Sequence, residues 1–157
     1  MRLTAFTDYT LRTLMYLGTH RDKLVTIQDI ADLHNISKNH LMKVVHQLAI
    51  DGVVDTVRGR HGGLRLNKEP GEINIGQVVR QTETDFYMAE CFEEHSSQCL
   101  FTAACTLKSV LSEATDAYLK VLDQVSLEQL IANPHARQDK QDKSVPIALH
   151  RQAKAST

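Results

Sequence analysis

TIQDIADLHNISKNHLMKVVHQLAIDGVVDTVRGRHGGLRL, residues 26–66, carries the start and stop signals of two helices and a hairpin in succession. Thr26 followed by Asp29 is a capping pair, and Ile27, Ile30, Ala31 and Leu33 give the short helix behind it its apolar face. His34-Asn35-Ile36 breaks that helix, and asparagine tolerates the left-handed backbone a tight turn needs. Ser37 caps the next helix, where Leu41, Val44, Val45 and Leu48 form a stripe, and Gly52 stops it. Two helices across a tight turn make a helix-turn-helix. Val53 to Val57 is β-branched and Leu64-Arg65-Leu66 alternates. The glycine-rich turn Arg58 to Gly63 joins them into a β-hairpin, and a hairpin directly after a helix-turn-helix makes a winged helix.

Working outward, Thr7 reads as the cap of an amphipathic helix, with Leu11, Leu14, Met15 and Gly18 on one face. Ile75 to Thr82 reads as a short helix with Val78 and Val79 inward, and residues 83–101 have no helical period. Thr102 is the expected cap of a long helix from about Ala103 to Gln124. Leu107, Val110, Leu111, Ala114, Tyr118, Val121 and Leu122 recur on it at helical spacing, more than the remaining chain can cover. Ser126 and Gln129 form a capping box for a last short helix. After Pro134 the chain is polar and aperiodic and reads as a disordered tail. The expected fold is mainly α: a winged helix-turn-helix over 1–82, a loop at 83–101, a long C-terminal dimerisation helix with a short final helix at 102–133, and a tail at 134–157.

Composition excludes some classes. No run approaches the roughly 18 apolar residues of a membrane span. The N-terminal stretch is interrupted by Asp8 and Arg12 and offers no cleavage site, so it is not read as a signal peptide. A cytoplasmic protein is expected, where clustered cysteines more often bind metal or do redox chemistry than form disulfides. Residues 1–80 hold 11 Lys/Arg against 8 Asp/Glu, and residues 81–157 hold 7 against 11. The first half therefore has the sign a polyanion attracts, although the asymmetry is too modest to identify a DNA-binding protein by itself.

On the capped second helix, Lys38, Asn39, His40, Lys43 and Gln47 share the outer face, and these types reach base edges and phosphates in a major groove. Arg58, Arg60 and His61 mark the hairpin tip, where arginine is drawn to the potential of a narrow minor groove. Thr7, Tyr9 and Arg12 are further candidates for phosphate contacts. The plainer reading of each is a solvated face, and a winged helix used for protein contacts is the rival. The order of capped helix, turn, capped helix and basic glycine hairpin favours double-stranded DNA.

Cys91, Cys99 and Cys105 are the chain's three cysteines, spaced Cys-x7-Cys-x5-Cys. Structural zinc favours paired Cys-x2-Cys knuckles, whereas iron–sulfur clusters accept wider loops of thiolates. Three thiolates and one weaker ligand leave one iron exchangeable, which suits sensing. The alternatives are three ordinary thiols, or thiols that oxidise directly in a metal-free redox regulator. His95 is a further candidate ligand, and Glu90, Glu93 and Glu94 read as surface charge. A cysteine nucleophile would need a histidine spaced to activate it, and none is evident, so the chain is not expected to be an enzyme.

LTAFTDYTLRTLMYL, SKNHLMKVVHQL, VRGRHGGLRL, INIGQVVRQTE and AACTLKSVL together resemble the Rrf-two family of bacterial regulators, over about residues 1–132. The resemblance is strongest to its nitric-oxide-sensing repressors. It implies a homodimer on a pseudo-palindromic operator and an iron–sulfur cluster, 4Fe-4S with 2Fe-2S as the alternative. It further implies Cys91, Cys99 and Cys105 as ligands. Another branch places a histidine three residues after the third cysteine, where this chain has Lys108. The nitric-oxide-sensing branch implies Asp8 of the other subunit as fourth ligand; without the family, Asp8 is an acidic residue favoured in a helix's first turn. The family normally separates the first two cysteines by five residues and this chain has seven, which bears on cluster type and loop path. A regulator sensing cluster status or oxidants rather than nitric oxide is the alternative function.

Overall fold

The computed structural model describes residues 2–92 and 105–132. Helix α1 (Ala5–Thr19) is followed by α2 (Ile27–His34), α3 (Lys38–Ile50), strands β1 (Val54–Val57) and β2 (Gly63–Leu66), α4 (Ile75–Thr82), α5 (Thr106–Asp123) and α6 (Leu127–Ile131). This is the mainly helical winged fold expected from the sequence. Among the described residues, no helix is long and apolar enough to cross a membrane.

The punctuation of residues 26–66 works as read. Thr26 accepts from the Asp29 N–H while the Asp29 carboxylate accepts from the Thr26 N–H. That backbone bond, and then the Thr26 hydroxyl, hold the Asp29 carboxyl below its ordinary range. Asn35 ends α2 at φ 52°, and Ser37 accepts from the His40 N–H to open α3. Strands β1 and β2 pair antiparallel, Val54 opposite Leu66 and Val57 opposite Gly63. Val25, just before the Thr26 cap, exchanges both backbone bonds with Leu64, which fixes the wing to the entry of α2. A Cβ on Gly62 would lie 2.1 Å from the Val57 carbonyl oxygen, so the turn closes only with glycine there.

Leu14 and Leu17 of α1, Ile30 of α2, Leu41 and Val44 of α3, Val79 of α4 and Leu127 of α6 share one core with the base of the wing. Helix α6 returns to this core: Leu127 and Ile131 pack against Gly18 of α1. The Leu127 N–H donates to the Ile73 carbonyl at 2.8 Å. Helix α5 is different, because none of its 18 residues is buried. Leu107, Val110 and Val121 are 63%, 54% and 63% exposed. It touches α4, where Arg80 forks onto Asp123 and draws that carboxyl below its ordinary range.

Two helix starts differ from the sequence expectation. The cap of α1 is Thr4, and Thr7 lies inside the helix at 0% exposure. Helix α5 begins at Thr106 behind Cys105; Thr102 lies outside the described residues, as does the tail.

Candidate DNA interface and metal centre

Helix α3 buries Leu41, Val44, Val45 and Leu48, which turns Lys38, Asn39, His40 and Lys43 to the outside. Gln47 is half-buried, and its amide donates to Asp51 at 2.9 Å. The Tyr9 ring lies 5.9 Å from the His40 ring, so α1 abuts the exposed face of α3 near its start. Arg58, Arg60 and His61 are exposed at the wing tip. Among the described residues, Lys38, Lys43, Arg58 and Arg60 form no ion pair, while Arg65 behind them is held by Asp55 across the wing. The unpaired cations are thus free to meet an anion.

Two proposed phosphate contacts read differently in the structure. Thr7 is a correction: its hydroxyl is buried 3.0 Å from that of Thr4, out of reach of any phosphate. Arg12 is exposed but engaged, because its guanidinium grips Asp8 one turn back. The i, i+4 spacing of these two residues is the signal that could have revealed the pair.

Cys91 sits in a short 3-10 turn, Glu90–Phe92, and Cys105 at the N-cap of α5. Both are free thiols of intermediate exposure, and Cys105 makes no capping bond. The ammonium of Lys108 lies 5.5 Å from the centroid of the Phe92 ring. This contact sets the turn holding Cys91 against the first turn of the helix that Cys105 heads. Lys108, all donor and no acceptor, is occupied with that ring and is no substitute for a histidine ligand.

Cys99 and His95 lie outside the described residues. Among the described residues, no three His, Cys, Asp or Glu side chains converge on one point. The fit to an iron–sulfur cluster is therefore one of donor chemistry: two thiols that the fold does not otherwise use, adjoining one segment, in a family of donors that such clusters require. Asp8 is not part of this donor set within one subunit. Its carboxylate is 41% exposed and pairs with Arg12.

The profile of the Rrf2 family, described as iron-dependent transcriptional regulators, matches residues 3–133. The chain belongs to the Rrf2 family. A protein from Bacillus licheniformis named HTH-type transcriptional regulator NsrR is 52% identical over 134 residues, 85% of this chain and 94% of the relative. The protein of the same name from Bacillus subtilis is 50% identical over 134 residues, 85% of this chain and 92% of the relative. Among solved structures, IscR of T. potens superposes with a TM-score of 0.69 at 22% identity, covering 88% of this chain and 91% of that one. CymR, the global cysteine regulator of B. subtilis, does so at 0.66 and 24%, covering 84% and 97%. These last two show the shared fold. The chain is accordingly a DNA-binding transcriptional regulator and not an enzyme.

Three further residues have roles at the site that carry no sequence signal. Phe92 and Lys108 belong to no common motif, and Glu83 accepts from Thr4 across 79 positions.

Proposed function

We propose that this regulator is a cytoplasmic homodimeric repressor whose operator affinity is controlled by an iron–sulfur cluster that reacts with nitric oxide. Cys91, Cys99 and Cys105 would hold the cluster, with Asp8 of the partner subunit as fourth ligand. Helix α5 would form the dimer interface, since its apolar stripe has no cover among the described residues of one subunit. Lys38, Asn39, His40, Lys43 and Gln47 would read one half-site, Arg58, Arg60 and His61 its adjoining minor groove, and Tyr9 and Arg12 would lie toward the phosphates.

A 4Fe-4S cluster with one carboxylate-bound iron supplies a position open to a small ligand, because a carboxylate is a harder and weaker partner for such iron than a thiolate. The chain's own residues do the rest. Lys108 on Phe92 keeps the Cys91 turn beside the start of α5. Asp8 links one subunit's sensing segment to the helix of the other that abuts α3. The observation that carries this reading is the pair of free, half-exposed thiols, one in the turn that Phe92 ends and one heading the helix whose Lys108 reaches that ring, in a chain whose motifs resemble the nitric-oxide-sensing branch.

Anaerobic purification followed by visible spectroscopy, iron and sulfide analysis and operator binding tests it. A brown protein with sulfide, losing operator affinity on addition of nitric oxide, is the expected result. A colourless protein that binds DNA according to thiol oxidation would replace it with the metal-free redox reading. A cluster-bearing protein indifferent to nitric oxide would leave a sensor of cluster status.

A further inference from the structure

The first residue after α4 is Glu83, and its side chain does not serve its own helix. One carboxylate oxygen accepts from the Thr4 N–H at 2.8 Å and from the Thr4 hydroxyl at 3.2 Å. Thr4 is the N-cap of α1, and its hydroxyl in turn accepts from the Thr7 N–H at 3.2 Å. The opening turn of α1, which contains Asp8, is therefore fastened to Glu83 by way of its cap. Glu83 also begins the segment that runs to Cys91, so the two proposed ligand-bearing elements of one subunit share this anchor. Helix α5 reaches the same place: Tyr118 and Glu83 line one cleft of about 220 Å³ with Thr4, Phe86 and Tyr87. Burial, and secondarily the Glu83 charge, hold the Tyr118 hydroxyl above its ordinary range, which places the two groups within electrostatic reach.

We propose that Glu83 is a positioning residue that locks the start of α1, and with it Asp8, to the cysteine-bearing segment through Thr4. The inference rests on the reading that Asp8 is a ligand to the partner subunit's cluster. Under that reading each Glu83 joins two clusters. The segment behind it holds one cluster, and the helix it fastens sends Asp8 to the other. What is needed at position 83 is an acceptor oxygen that takes two bonds at once, so an amide of the same shape serves and a methyl does not.

The test is a double-mutant cycle on the anaerobic dimer, with cluster lifetime in the presence of an iron chelator as readout. E83A shortens the lifetime roughly three- to tenfold, within the range by which residues that touch neither ligand alter coupling between sites. E83Q restores most of it, because its amide oxygen accepts both Thr4 bonds. In a D8A background, E83A has little further effect, since the residue it positions is gone. Additive effects of E83A and D8A would overturn the positioning role while leaving Asp8 a ligand. A D8A protein with wild-type lifetime would instead remove the ligand reading itself. An E83Q lifetime as short as that of E83A would overturn the hydrogen-bond argument, and equal far-ultraviolet circular dichroism of all variants checks that α1 is intact.

Discussion

Asp8 and Arg12 stand one turn apart on α1 and are joined twice, Nε to Oδ1 at 3.0 Å and Nη2 to Oδ2 at 2.9 Å. Both carboxylate oxygens are thus engaged by the same guanidinium. An iron bound at Asp8 would share those oxygens with the fork, which draws charge away from the ligand, so Arg12 competes with the metal for Asp8. The pair is exposed, and pairs of that kind contribute about 0–1 kcal/mol to stability. R12A should therefore leave thermal stability nearly unchanged and lengthen the life of the cluster in a chelator assay. A shortened lifetime would mean that Arg12 orients Asp8 for the metal instead.

For Asp8 itself, D8A should leave a cluster bound by three cysteines, but a more labile one, and should weaken the dependence of operator binding on the cluster. D8C should slow the reaction with nitric oxide, because a thiolate closes the last iron more firmly. Stopped-flow absorbance measures both. Unchanged kinetics in the two variants would return Asp8 to the role of a first-turn acid.

Lys43 and Arg60 are exposed and unpaired on different elements, and their losses should differ in kind. K43A should weaken binding to all operators alike and lower the salt slope by about 1, as loss of one phosphate contact does. R60A should cost most at sites whose wing-facing steps are A·T-rich. Binding titrations over a series of salt concentrations and operator sequences decide; identical profiles for the two variants would reject the division between helix and wing.

His34 carries a pH dependence. Its Nε2 is buried without a partner, and desolvation, then the Arg12 charge, pull its pKa below the ordinary 6.5, with Asp8 opposing. A folded-state pKa below the unfolded one means the unfolded chain takes the proton first as pH falls. Its contribution to stability is thus fully present above about pH 6.5 and is lost as pH falls from there through the folded pKa. The melting temperature of the cluster-free protein should drop over that window, and H34Q should drop less. Parallel curves would show that other groups set the acid limit.

Much of this was legible in the chain. The caps at Thr26, Ser37 and Ser126 are local side-chain to backbone bonds, so residue identity at fixed spacing is enough to place them. The start of α1 lies three residues before the Thr7 that the sequence offers, because Thr4 and Thr7 are the same residue type and either can cap a helix. The inner one is buried, and so are Thr10 and Thr13, on a face where apolar residues would be expected. Thr10 resolves its burial by donating to the Phe6 carbonyl at 2.8 Å, which composition does not reveal. The contacts that organise the candidate site, Glu83 to Thr4 and Lys108 to Phe92, join residues distant in sequence and depend on how α1, α4 and α5 meet.

The exposed stripe of α5 has one more consequence. A helix that buries none of its residues at home has little to hold it folded alone, since helical stability comes mostly from packing an apolar face. In the proposed dimer, subunit dissociation and fraying of α5 become a single event governed by mass action. Cys105 heads that helix, so dilution would dismantle the sensing end of the molecule before the winged helix, whose core is complete within one chain.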